Sequence, residues 1–164
     1  MAPSLWARVT CGAALSLLTF FPAQPVRADS IVDVQMLVQA LAAFGTRVVP
    51  AECKQEALKG YYEPAKDQIV ICADSLTDLH PASVWDVLVH EATHKMQACV
   101  GGSLMPPTHV GRMMRQLRAT YPETLADLNA YASGQSRAEL EARWMELQPP
   151  EFVLQLLVAA CHRA

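Results

Sequence analysis

Twenty residues from Pro81 to Val100, PASVWDVLVHEATHKMQACV, constrain this chain more than any other stretch. The fixed φ of Pro81 suits the first turn of a helix, and Gly101-Gly102 supplies its stop. On a helix advancing 100° per residue, Trp85, Leu88, Ala92, Met96 and Cys99 gather into one apolar stripe. His90 and His94 lie about 40° apart and roughly 180° from that stripe. The segment therefore predicts a helix with a core side and a separate histidine face.

The surrounding pattern predicts a mainly helical α+β domain. Asp29-Ser30 caps a first helix whose apolar residues Val34, Leu37, Val38, Leu41 and Phe44 recur at helical spacing, with Gly45 as the stop. Between Arg47 and Asp74 the runs VVP, GYYEP and QIVIC are short, β-branched or aromatic, and broken by Pro and Gly. They predict a small sheet ahead of the histidine helix, with Glu63 to Gln68 as a hairpin connection. Beyond Pro106 the chain is helical again, most clearly over Ser136 to Leu147 and Glu151 to His162. The second of these is apolar on nearly all sides and is expected to be buried against other helices.

The first 28 residues read as a leader outside the folded domain. Arg8 precedes the uncharged run Cys11 to Phe21, and the segment ends at Ala28 with Val26 two residues earlier, a pattern that suits signal-peptide cleavage. The apolar run is about half of the ~20 residues that a membrane-spanning helix needs. The reading is a signal peptide over 1–28, a single domain over 29–164, export to a periplasm or outside the cell, and no stable membrane anchor after cleavage. Removing the leader takes away Arg8 and Arg27 and no acid, so the net charge falls from −3 to −5. No basic cluster remains, and nucleic acid is excluded as a partner. Four cysteines remain, Cys53, Cys72, Cys99 and Cys161, and an even count in an exported chain predicts disulfides. Three pairings exist. Cys53–Cys72 and Cys99–Cys161 is favoured, because it ties the strand region together and pins the last helix to the histidine helix.

His90, Glu91 and His94 have the spacing His-Glu-x-x-His. On one helix face the two imidazoles can meet a single Zn2+, and Glu91 lies beside them where it can take a proton from a zinc-activated water. A catalytic zinc wants three protein ligands. The metzincin extension fails, since Gln97 and Val100 stand where Gly and His are required. A glutamate from a later helix is the remaining solution, and Glu139-Leu140-Glu141-Ala142 is the leading stretch. Periodicity chooses Glu141, which shares a face with Ala138, Trp144 and Met145 and so needs a partner for its carboxylate. Ser136 to Glu139 fits a capping box, which gives Glu139 a purely local role.

His90-Glu91-Ala92-Thr93-His94 followed downstream by Glu139-Leu140-Glu141-Ala142 resembles the gluzincin metallopeptidases, in style the minimal CAAX-processing and antirepressor-activating types. In those families the ligand helix reads Glu-x-x-Ala followed by Asp or Asn, and its first glutamate binds zinc. The resemblance implies a zincin-like fold, a peptide or protein substrate, and Glu139 as the third ligand. It departs at Arg143, which stands where Asp or Asn is expected and cannot accept a hydrogen bond from a ligand histidine. A rival string, Glu123 to Asp127, keeps the Asp, but Glu123 follows Pro122 and suits a helix start. Zincins also pair an edge strand with extended substrate, a role QIVIC could fill. Tyr61, Tyr62 and Tyr131 could each stabilise an oxyanion, and none is assigned. The expectation is an exported zinc metallopeptidase, with a catalytically inactive zinc-binding module as the alternative.

Overall fold

A computed structural model describes residues 30–55, 57–76, 80–122 and 133–162. Five helices and a three-stranded sheet make up these residues: α1 (Ile31–Ala43), β1 (Arg47–Ala51), β2 (Gly60–Glu63), β3 (Gln68–Cys72), α2 (Pro81–Val100), α3 (Val110–Thr120), α4 (Ser133–Met145) and α5 (Pro150–Cys161). The leader, Glu123 and Tyr131 lie outside the described residues. The α+β class and the sheet ahead of the histidine helix are as expected.

Local chemistry explains most boundaries. The Ser30 hydroxyl accepts from the Asp33 N–H to cap α1, and Gly45 ends it at φ +85°. His80 caps α2 through Nδ1, which accepts from the Ala82 N–H, and Pro81 occupies the first turn. Gly101 closes α2 in the left-handed region at φ +70°. The helix from Pro81 to Val100 is thus bounded as its sequence requires.

The strand order is β1-β3-β2, with β1 parallel and β2 antiparallel to β3. This corrects the edge-strand assignment: QIVIC is the central strand, hydrogen-bonded on both sides and unable to accept another. Four of its five residues are buried, as a continuous apolar run in the middle of a sheet demands. The strand beside α2 is β2, GYYE, one of the two edges of the sheet among the described residues. A hairpin turn through Pro64–Lys66 joins β2 to β3 and places Asp67 at φ +46°. The Asp67 carboxylate accepts from Thr46 Oγ1, Tyr62 Oη and Lys95 Nζ at 2.8–2.9 Å, fastening the hairpin to α2.

Helix α2 runs through the centre of the core. Trp85, Leu88, Ala92 and Met96 are buried as the periodicity predicts, with α1, α4 and α5 around them. Val87, Val89 and Thr93 are also buried, so the histidine face is a narrow strip rather than a broad open side. Helix α5 packs against α1 and α2, as expected. Val153, Leu157 and Ala160 are buried, whereas Val158 is 49 % exposed: an all-apolar helix on the outside of a small domain has neighbours on one side only.

The disulfides are Cys53–Cys72 and Cys99–Cys161, the favoured pairing. The first closes the chain ahead of β2 onto β3, and the second joins α5 to the end of α2. Such bonds fit an oxidising compartment, and no helix among the described residues is long and apolar enough to cross a membrane. Replacing Cys99 and Cys161 by alanine is expected to cost about 2–5 kcal/mol, since a 62-residue separation is released in the unfolded chain. Urea unfolding of the double variant measures it, and an unchanged midpoint would contradict the role given to this bond.

Candidate metal centre

The two histidines of α2 and one glutamate of α4 converge. His90 Nε2 and His94 Nε2 stand 3.3 Å apart. Glu139 lies 3.2 Å from His90 Nε2 through Oε2 and 3.5 Å from His94 Nε2 through Oε1. Among the described residues, these three side chains form a group that could hold a metal ion. The capping-box reading of Glu139 is corrected: α4 begins at Ser133, so Glu139 sits in its second turn and turns its carboxylate to the imidazoles.

Periodicity alone picks a glutamate that does not reach the histidines. Glu141 is fully buried and does need partners, as its apolar neighbours implied, but they are backbone amides. Leu104 N–H and Met105 N–H donate to its carboxylate at 2.8 and 3.2 Å. It faces the segment after α2 instead of the histidine pair.

Each imidazole is oriented from behind. His90 Nδ1 donates to Glu146 Oε1 at 2.8 Å, and His94 Nδ1 donates to Gln97 Oε1 at 2.9 Å. A ring that keeps its proton on Nδ1 turns the Nε2 lone pair inward. Two such lone pairs and a carboxylate within about 3.5 Å repel one another unless a proton or a metal ion lies among them. The group could hold a cation.

Arg143, the residue that departs from the expected Asp or Asn, has a different task. Its Nη1 donates to Glu146 Oε1 at 3.0 Å, holding the carboxylate that orients His90. The acceptor for His90 is Glu146, one residue past the end of α4. Neither Glu146 nor Gln97 was read from the sequence as part of the site, although a signal existed. Glu139 and Glu146, seven residues apart, lie about 20° from each other on a helix, as do His90 and Gln97.

Glu91 is buried beside the pair, and its carboxylate accepts from the backbone N–H of Tyr62 on β2. Burial raises its pKa, against the pull of His90 and His94. For Glu139 burial also favours the neutral acid, but the His90 hydrogen bond and the nearby His94 and Arg143 outweigh it and the pKa falls. Burial disfavours charge on His90, yet Glu139 and Glu146 prevail and its pKa is pushed up to about 9. The Tyr62 hydroxyl is committed to Asp67, and burial with that bond pushes it up to about 12, so it is no oxyanion donor. His80 caps α2 and stays apart from the cluster.

A cleft of about 670 Å³ opens over the group, lined on one wall by Lys59, Gly60 and Tyr61 and on the other by Glu139 and Arg143. Gly60 sets the distance between strand and helix: a Cβ there would lie 2.7 Å from Val87 Cγ1 and 2.8 Å from the Val70 carbonyl oxygen. Comparison with protein-family models, with curated proteins and with solved structures finds no match to this chain.

Two outcomes follow from this geometry. Gly60→Ala is expected to push β2 from α2 and cost about 1–3 kcal/mol, the usual range for overpacking; an unaltered denaturant midpoint would contradict the close approach. In metal-free protein, His90 contributes stability because its folded-state pKa exceeds its ordinary 6.5. That contribution is complete below about 6.5 and lost as pH rises through about 9. Denaturant midpoints taken across this window should fall, and a flat profile would count against the His90–Glu139–Glu146 cluster.

Proposed function

We propose that the chain is an exported zinc-dependent metallopeptidase of zincin-like fold, with His90, His94 and Glu139 as ligands and Glu91 as general base. One observation carries the reading: two Nε2 atoms from one helix and a carboxylate from another converge on a single point at the floor of a cleft. Atoms held about 2.0–2.1 Å from a tetrahedral zinc lie about 3.3–3.4 Å from each other. The 3.3 Å between the two Nε2 atoms fits that spacing, and the Glu139 carboxylate lies beside both, one oxygen 3.2 Å from His90 Nε2 and the other 3.5 Å from His94 Nε2. Two imidazoles and one carboxylate are a zinc donor set, and a set of three leaves the fourth position open to the cleft, as catalysis requires. The likeness of the His-Glu-x-x-His and Glu-x-x-Ala strings to gluzincins supports the same assignment.

His90, His94 and Glu139 would hold the zinc, which would supply Lewis acidity to the attacking water and the substrate carbonyl. Glu139 stays ionised beside the histidines, as a ligand must. Glu91, its basicity raised by burial, takes a proton from the attacking water and returns it to the leaving amine as the peptide bond breaks. The Tyr62 N–H holds one part of its carboxylate, leaving the remainder for that exchange. The substrate is a peptide or protein segment entering the cleft alongside the β2 edge. The two disulfides suit the compartment to which the leader would deliver the chain.

The oxidised protein is expected to hold one zinc per chain by native mass spectrometry. Glu139→Ala should weaken zinc binding by more than the ~10–100-fold typical of removing an outer partner. Glu91→Ala should keep the zinc and lose about 10²–10⁴-fold in peptide hydrolysis. Zinc binding with Glu91→Ala as active as the parent would leave a metal-binding module in place of a peptidase. A parent without zinc would remove the reading altogether.

A further inference from the structure

Glu141 is a fully buried carboxylate with no part in the chemistry above. Its Oε2 accepts from the Leu104 N–H at 2.8 Å and from Gln97 Nε2 at 3.1 Å; its Oε1 accepts from the Met105 N–H at 3.2 Å and has Arg137 Nε at 3.6 Å. Gln97 Nε2 also donates to the Ala138 carbonyl oxygen at 3.0 Å. Both partners of that nitrogen are acceptors only, so the amide has one tolerable orientation. Turned over, its oxygen would face a carboxylate and a carbonyl oxygen inside the core. With the nitrogen committed to Glu141 and Ala138, Gln97 Oε1 is left facing His94 Nδ1 at 2.9 Å. An oxygen there demands the ring proton on Nδ1 and so exposes the Nε2 lone pair. An amide NH2 there would do the reverse, placing the ring proton on Nε2, where it blocks ligation.

We propose that Glu141 is a positioning residue for the metal centre, acting through Gln97 to hold His94 in the Nδ1–H tautomer. The charge matters as well as the size. Donors converge on both carboxylate oxygens, so a glutamine at 141 would set an NH2 group against one of them and unbalance the pocket that orients Gln97. The Leu104 and Met105 amides belong to the segment that follows the Gly101 turn, and Arg137 Nη2 donates to the Met105 carbonyl oxygen. That segment is therefore clamped to α4, the helix that also supplies Glu139. The consequence for zinc rests on the function proposed above; the tautomer does not.

The test uses the oxidised chain labelled with ¹⁵N-histidine, together with Glu141→Gln, Gln97→Met and the double variant. Ring ¹⁵N shifts of metal-free protein, with His94 neutral, report its tautomer directly. The parent is expected to show the Nδ1–H form, and each single variant a shift towards Nε2–H. Zinc dissociation constants should rise about 10–100-fold in each single variant. The double variant should bind no more weakly than the weaker single one, because Glu141 acts through Gln97. His94 remaining in the Nδ1–H form in both single variants would overturn the proposal, as would unchanged zinc affinity with only a lowered melting temperature. Should Glu141→Gln fail to fold, Gln97→Met keeps the backbone bonds of Glu141 and decides the matter by the same two readings. A parent that takes up no zinc overturns the function proposed above, and the tautomer readings alone then decide this one.

Discussion

Helix α2 has to serve two purposes on one set of twenty residues. Its apolar stripe anchors the core against α1, α4 and α5, while the same turns carry His90, Glu91 and His94. Polar side chains on a central helix are tolerable only when each finds a partner, since an unpaired buried group costs several kcal/mol. The surroundings of α2 satisfy that condition around the histidines, while the buried Trp85 Nε1 is left without a hydrogen-bond partner among the described residues. Glu146 and Gln97 take the two Nδ1 protons, the Tyr62 N–H meets Glu91, and Asp67 meets Lys95. Both the sheet edge and α4 sit where these partners are needed.

The charge pattern follows from the same constraint. Glu91, Glu139 and Glu146 surround two imidazoles, with Arg143 as the adjoining cation. Burial, with the nearby Glu139 adding to it, raises the cost of ionising Glu91, whereas the histidines lower that of Glu139. Two carboxylates in one cleft are thus set apart in basicity, which suits one to proton transfer and the other to binding a cation. Arg143 belongs to this division. It cannot accept from a histidine, but it holds the glutamate that does, so a departure from the gluzincin pattern is answered one turn further along the helix.

Much of the fold was legible in local chemistry. The helix ends at Gly45 and Gly101 follow from the left-handed backbone that glycine tolerates, and Pro81 marks a first turn. Four cysteines outside the leader implied two bonds, and the pairing that joins the last helix to the histidine helix is the one formed. His90 and His94 share a face because 3.6 residues make a turn, whatever surrounds them. Strand order was not legible: β3 and β2 are equally plausible edges by composition, and only the pairing of β1 with β3 places QIVIC in the middle. Nor was the outer face of α5, whose all-apolar pattern does not tell how many neighbours a small domain can supply.

The glutamate that meets the histidines shows where local pattern ends. Glu139 and Glu141 are two residues apart, about 200° around α4, and each has a credible local reason to be there. The sequence by itself determined that one helix would present two imidazoles and a carboxylate on a common side, because spacing along a helix is set by backbone hydrogen bonding. Only the tertiary structure decided that Glu139 meets them and that Glu141 is spent on the Leu104 and Met105 amides. That choice depends on how α4 is rotated against α2. The rotation is fixed by Leu140, Trp144 and Met145 packing into the shared core, which no periodicity within α4 alone can specify.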